Sequence, residues 1–339
     1  MGTQVWKGCV LAAVGALFAS SAQAQTVLTL NRWLPPNHFI NTEVLEPWAA
    51  DVEQATEGRV RIDIPSSSLG PPPRQFDLAR RGVADITWST QGYTPGRFVT
   101  SEGVELPFLS NSAEALSVAF WRTHNDYFAE ADEYSGVKVL SLHVQPPGSL
   151  FTARQRVESL SDIRNLSIRV INPATSRLLE AFDGVPISAP VGQAYEMLSR
   201  GVIDGTFLTT DSMPNLNLWG HLNHLLTVDG GFYNTSFFLV MNRASWDRLS
   251  EADQQAIESI SGEAFSKRVG RIWDDKHAKA LEEFEARAGT THTRVEGKEL
   301  ERLRNALATA EPEWIASVQE KGVNGEAALE MLRREVADY

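Results

Sequence analysis

Arg169 is the residue of this chain whose surroundings most demand a partner. It stands in Leu166-Ser-Ile-Arg-Val-Ile171, where the period of two in a strand puts Leu166, Ile168 and Val170 on one face and Ser167, Arg169 and Ile171 on the other. In an α/β sheet both faces are usually covered, so the guanidinium is at least partly buried, and a buried guanidinium needs an anion. That anion is either an internal Asp or Glu, or the carboxylate of a ligand bound where open α/β sheets form clefts, at the strand's C-terminal end. From this strand alone the two readings are evenly matched.

Signals for catalysis are sparse. The chain has no His-Glu-x-x-His helix, no Gly-x-Ser-x-Gly elbow, no Gly-x-Gly-x-x-Gly turn and no phosphate loop ending in Gly-Lys-Ser/Thr. His221 and His224 could share one helical face, but no third ligand is placed, and surface or capping roles outweigh metal binding for such a pair. Glu102 and Glu105 could form an acid pair. On a polar loop, however, two carboxylates three apart are expected to be solvated.

The first residues read as a secretion signal: Lys7, an apolar stretch from Val10 to Phe18, and the small-residue pattern Ala22-Gln23-Ala24, with Gln25 as the first mature residue. The stretch is shorter than the roughly 20 residues that span a bilayer, so a soluble, exported mature chain is expected. The one cysteine, Cys9, falls inside the signal, which leaves no thiol or disulfide chemistry and suits a Gram-negative periplasm. Losing Lys7 with the signal takes the formal charge from -12 to -13. Such a negative field disfavours nucleic acid and anionic membranes, so an anionic ligand must be held by a local positive site. The length suggests two domains, each with its own core.

Short β-type runs alternate with amphipathic helical stretches from Thr26 to about Phe207, as in Val27 to Trp33, Val44 to Thr56 and Val60 to Ile64. This is the pattern of an α/β fold. Gly58 and Gly82 close helical stretches, and Ala84 to Trp88 starts a strand directly after the second. The strand Val137 to His143 is interrupted by Pro146-Pro147-Gly148, where a domain crossing is placed. A second strand series opens at Leu150, and a further crossing is placed near Asn234 to Asn242, where Ser236 to Met241 reads as a fully buried strand.

The strongest helix signal starts at Ser250, with Asp253 as its capping-box partner, and continues to Ala288. As one helix it would reach about 58 Å, more than the width of one compact domain, so it must touch both. Gly262 and Gly270 within it are read as close-packing positions in preference to bends. The C-terminal part, from Lys298 to Tyr339, reads as helical, with Leu303, Leu307, Trp314, Leu329 and Leu332 as packing residues.

An ordered set of short motifs resembles the extracytoplasmic solute receptors of TRAP (tripartite ATP-independent periplasmic) transporters, in the dicarboxylate-receptor branch. It comprises Trp33-Leu-Pro-Pro-Asn-His38, Ser68-Leu-Gly-Pro-Pro-Pro-Arg-Gln-Phe76, Gly82-Val-Ala-Asp85, Gly92-Tyr-Thr-Pro-Gly-Arg97, Glu105-Leu-Pro-Phe108, Ile168-Arg-Val170, Gly201-Val-Ile-Asp-Gly205 and Phe238-Leu-Val-Met-Asn242. The resemblance covers nearly the whole mature chain.

It implies a two-lobed periplasmic-binding-protein fold of α/β class, with crossing strands and a long helix spanning both lobes. The divisions it suggests are a signal at 1–24, lobe I over 25–148, lobe II over 149–235, a return to lobe I over 236–275, and lobe II again with the C-terminal helices over 276–339. It implies that Arg169 forms the salt bridge to a ligand carboxylate. The rest of the cleft would come from Trp33 and His38, from Thr90, Gln91 and Tyr93, from Phe207, Thr209 and Asp211, and from Tyr233 and Asn234. Trp33, Phe207 and Tyr233 could equally be core aromatics.

Asp204-Gly205 leads into Thr206-Phe-Leu-Thr-Thr-Asp211 where sialic-acid-type receptors carry Gln-Glu-Asn-Pro, and no second arginine lies near Ser149. The aromatics Trp33, Trp88, Tyr93, Phe207 and Tyr233 instead suit a compact acid with an apolar or aromatic body. The expected role is a monomeric receptor, without metal or cofactor, that hands an organic acid unchanged to membrane permease subunits. The rivals are a receptor feeding an ATP-driven permease and a periplasmic enzyme acting on an organic acid.

Overall fold

The computed structural model describes residues 25–339; the segment read as a signal, with Lys7 and Cys9, lies outside them. Eleven strands are present among the described residues: β1 (Thr26–Asn31), β2 (Val60–Asp63), β3 (Ile86–Thr90), β4 (Val137–Val144), β5 (Ser149–Thr152), β6 (Ser167–Val170), β7 (Val185–Ser188), β8 (Gly205–Leu208), β9 (His224–Thr227), β10 (Ser236–Asn242) and β11 (Thr291–Arg294). They form two mixed sheets, β2-β1-β3-β10-β4 and β11-β9-β5-β8-β6-β7.

The chain passes from the first sheet to the second between β4 and β5, across Pro146-Pro147-Gly148, and returns before β10. The two passages are joined to each other: Gln145 N–H donates to the Thr235 carbonyl at 3.1 Å, Gly148 N–H to Tyr233 at 2.8 Å, and Phe232 N–H to Gly148 at 3.0 Å. On its return β10 inserts antiparallel between β3 and β4. All seven of its residues are buried, which is why its sequence shows no alternation.

Each sheet is covered on both faces. In the first body, Leu28, Leu30, Trp48, Val52 and Leu239 form one core layer, and Leu116, Phe120, Leu142, Phe238 and Val240 form the other. In the second body, Ile168, Val170 and Leu179 lie in one layer, and Phe151, Leu208 and Leu225 in the other. Trp314, Leu329 and Leu332, from helices Ala310–Gln319 and Gly325–Ala337, pack in the second layer of the first body. The end of the chain therefore rests on the first sheet, beyond β11 and Leu303, which belong with the second.

The helical run expected over 250–288 is two helices, Glu251–Ser259 and Gly262–Ala286. Ser250 Oγ caps the first by accepting from Asp253 N–H at 3.1 Å, while Asp253 turns its carboxylate to Arg59 at 2.8 Å. The break follows from Gly262, whose φ of +57 is a left-handed value that no α-helix continues through. The second helix alone spans about 37 Å. Its Phe265, Val269 and Trp273 join the first body's core and its Phe284 the second's, so one rigid element belongs to both. Gly270 is the position where a bare backbone is needed for packing: an added Cβ would stand 2.5 Å from Cα of Glu114 in the neighbouring helix Ala113–Thr123.

Gly270→Ala should accordingly destabilise the protein by about 1–3 kcal/mol. Urea unfolding should show a lowered midpoint at an unchanged slope; an unaltered midpoint would mean that the two helices are not held this close.

Candidate functional site

Arg169 lies in the middle of β6, flanked by Ile187 of β7 and Thr206 of β8. It is fully buried. No carboxylate lies within salt-bridge distance of it among the described residues, so the internal-acid reading is not the one the geometry favours. Its Nε donates to the Ala189 carbonyl at 2.8 Å, and its Nη1 to the Phe207 carbonyl at 3.1 Å and weakly to Thr206 Oγ1 at 3.4 Å. Nη2 is buried with no protein acceptor. Loss of water lowers the guanidinium's pKa, an effect partly offset by the Tyr93 and Tyr233 phenols, but an arginine retains its proton in any protein setting.

The cleft in front of Arg169 has an empty volume of about 510 Å³, its open mouth included. The first body contributes Trp33 and His38 from beyond β1, Thr90 and Tyr93 from the end of β3, and Trp273 from the long helix; the second contributes Val191, Thr209 and Asp211; Tyr233 stands on the crossing between them. Tyr93 also bridges the bodies, its hydroxyl accepting from Val191 N–H at 3.0 Å.

One side of the cleft is aromatic. Trp33 stacks on Trp88 at 5.7 Å, Trp88 on Phe237 at 4.9 Å, and Phe237 meets Trp273 at 4.9 Å. The indole N–H groups of both stacked tryptophans are used internally, by the Trp88 carbonyl and by His143 Nε2, each at 3.0 Å. Burial pushes His143 down to about 3, which keeps that nitrogen a neutral acceptor. Trp33 and Phe237, which line the cleft, are thus available as apolar faces.

The polar groups are fewer and specific. His38 is held neutral, its pKa pushed down to about 4 by burial, and its Nδ1 accepts from Ile40 N–H at 3.2 Å, which places the ring proton on Nε2. Thr90 Oγ1 and Asp211 Oδ1 are buried without a protein partner. Burial also raises the Tyr233 phenol, so it remains a neutral hydroxyl. Tyr233 can stand here because residue 148 is glycine: a Cβ there would lie 2.0 Å from its ring.

Three of the residues expected in the site lie elsewhere. Phe207 is a core residue, edge-on to Tyr233 at 5.6 Å, and serves the site through the carbonyl that holds Arg169. Gln91 turns into the first body, where its Nε2 donates to Tyr134 Oη at 3.0 Å. Asn234 belongs to the crossing, its carbonyl accepting from Asn172 at 3.4 Å. Conversely, Trp273, Phe237, Gln145 and Val191 line the cleft without having been singled out; in sequence the first two look like ordinary apolar positions of a helix and a buried strand.

His221 and His224 do not share a helical face. His224 opens β9 and bonds to Thr291 Oγ1 at 2.8 Å, while His221 meets the Tyr195 ring edge-on at 4.9 Å. Glu105 is the larger departure, because it is 3% exposed and not solvated. Its carboxylate accepts from Ser236 N–H at 3.0 Å and Ser236 Oγ at 2.6 Å in the first body, and from Asn172 Nδ2 at 2.8 Å in the second. Burial pushes its pKa up to about 7, and Glu102 nearby is raised for the same reason. Glu105 is thus a buried latch between the two bodies.

A family model for bacterial extracellular solute-binding proteins, family 7, named DctP, matches residues 30–317. The chain belongs to this family. Among solved DctP relatives, a TRAP periplasmic solute-binding protein of Bordetella bronchiseptica, with bound (R)- and (S)-mandelate, is 32% identical and superposes with a TM-score of 0.89, covering 92% of this chain and 99% of its own. A TRAP solute-binding protein of Rhodoferax ferrireducens, complexed with benzoate, is 27% identical with a TM-score of 0.85, covering 93% and 98%. The outer membrane transporter protein TsaT of Comamonas testosteroni is 32% identical over 333 residues, 97% of each chain.

The raised Glu105 carboxyl has a consequence for this DctP chain. The folded protein holds that proton more tightly than the unfolded one, so the stability it contributes is full below about 4.5 and is lost as pH rises through about 7. Asp211, raised by burial to about 6, adds a parallel slope at lower pH. Urea unfolding of Glu105→Gln across this range should therefore show a shallower decline with pH than the wild type; equal slopes would remove Glu105 as the cause.

Proposed function

We propose that this receptor captures a compact aromatic or similarly apolar organic acid in the periplasm, holds its carboxylate with Arg169, and delivers it unchanged to the membrane permease subunits of a TRAP transporter. The observation that carries this reading is Arg169 Nη2, a buried cationic donor without a protein acceptor at the floor of a cleft walled by aromatic rings. A buried unpaired charge is costly, and a carboxylate is the group that offsets the cost best.

Nε and one N–H of Nη1 are taken by carbonyls, which leaves Nη2, with its two N–H groups, as the nitrogen free for a carboxylate. One carboxylate oxygen meets Nη2, and the other is left to the phenols of Tyr93 and Tyr233, whose charge coupling to Arg169 marks them as its neighbours. The body of the acid lies against Trp33 and Phe237. Support for an aromatic body comes from the mandelate and benzoate held by similar receptors. Ligand bound between the bodies favours the closed arrangement, in which Tyr93 reaches Val191.

Titration calorimetry with benzoate and mandelate tests the assignment. Arg169→Ala should lose about 2–5 kcal/mol of binding free energy for whichever acid the wild type binds. Arg169→Lys should also bind poorly, since an ammonium cannot both hold the Ala189 and Phe207 carbonyls and meet the ligand. Unchanged affinity in Arg169→Ala would overturn the salt bridge, and recovery of a chemically altered acid would overturn the receptor reading in favour of an enzyme.

A further inference from the structure

Asp211 is a second charged group in the cleft that no protein partner accounts for. It is 3% exposed, and Trp273 Nε1 donates to Oδ2 at 3.3 Å. The Thr209 hydroxyl also lies near enough to oppose the rise in the carboxyl's pKa that burial causes, but among the described residues no donor meets Oδ1 in hydrogen-bonding geometry. No arginine, lysine or histidine lies within salt-bridge distance of it among the described residues. The loop that carries it is fixed to the long helix, because Thr210 Oγ1 donates to the His277 carbonyl at 2.9 Å, and Asn215 Nδ2 donates to the Asp211 carbonyl at 2.6 Å. The side chain is therefore held in place by both bodies, with one oxygen unused.

An acid cannot present its carboxylate to this group, since two carboxylates repel and neither can donate. Arg169 and Asp211 together give the cleft a polarity: one position takes an anion, and the other takes a hydrogen-bond donor. We propose that Asp211 is a specificity determinant that accepts a hydrogen bond from a hydroxyl on the body of the bound acid, so that the receptor favours a hydroxylated aromatic acid over its unsubstituted parent. This inference rests on the reading of the site as a carboxylate receptor and adds the substituent that it selects.

A hydroxyl fits better than an ammonium because it brings one donor to the one free oxygen, whereas an ammonium brings three N–H groups, for which the Trp273 ring beside Asp211 offers no hydrogen-bond acceptor. A site that carries a buried acceptor discriminates strongly against the analogue lacking the donor, because that analogue leaves the acceptor unpaired.

The test measures dissociation constants for matched pairs, mandelate against phenylacetate and 3-hydroxybenzoate against benzoate, at a pH above 7 where Asp211 is ionised. In the wild type at least one hydroxylated acid should bind about tenfold or more tightly than its parent, the range spanned by a hydrogen bond to an ionised group. Asp211→Leu, which removes both acceptor oxygens and brings no donor of its own, should bring that ratio close to one. The ratio is internally normalised, so a general loss of affinity in the variant does not imitate the effect, and a cooperative thermal transition establishes that the variant is folded.

Equal affinities within every pair, a ratio that survives Asp211→Leu, or tighter binding of phenylglycine than of mandelate would each overturn the inference while leaving the Arg169 assignment standing. Failure of the wild type to bind any of the four acids would overturn the aromatic-acid reading and this inference with it.

Discussion

A guanidinium buried in a sheet, with no protein carboxylate to neutralise it, is the constraint around which the site is arranged. Placing Arg169 in β6 removes its water, and the protein compensates only in part, with the Ala189 and Phe207 carbonyls fixing the plane of the group. Those bonds orient the guanidinium and leave its charge unbalanced. The surrounding phenols and the aromatic wall exclude water without supplying an anion. Low local dielectric then strengthens whatever anion reaches Nη2.

The rest of the fold serves to bring two bodies to that point. The paired crossings at Gln145 to Gly148 and Phe232 to Thr235 form a short hydrogen-bonded strap, and the helix Gly262–Ala286 runs from one core to the other. Trp273 on that helix touches Asp211 of the second body, Tyr93 of the first reaches Val191 of the second, and Glu105 grips Asn172. These contacts are made across the boundary, those of Asp211 and Glu105 buried and that of Tyr93 part-buried. Gly148 shows how tightly the arrangement is drawn, since a methyl group there would occupy the space of the Tyr233 ring.

Much of this was legible in the sequence. The strand alternation around Arg169, the break at Pro146-Pro147-Gly148 and the unbroken apolar run of β10 each have a direct physical signature, and each corresponds to an observed element. The helix from Ser250 was legible in its extent but not in its break, because the cause is the positive φ of Gly262, and glycine letters do not distinguish a kink from a close approach. Gly270 next to it is the close approach.

Trp33, His38, Thr90, Tyr93, Thr209, Asp211 and Tyr233 line one cleft with Arg169, whereas Phe207, Gln91 and Asn234 do not. Side-chain direction past the end of a strand is set by tertiary packing, and no periodicity encodes it. The spacing of Glu105 from Glu102 suggests a solvated pair although Val104 and Leu106 flank it; its donors come from Ser236 and Asn172, far along the chain.

A crystal structure of the protein grown with (R)-mandelate or benzoate decides whether Arg169 holds the ligand. A carboxylate oxygen is expected about 2.7–2.9 Å from Arg169 Nη2, with the ring of the acid against Trp33 and Phe237. A carboxylate bound away from Arg169, or an Arg169 that turns to an internal Asp or Glu while the ligand occupies the cleft, would contradict it.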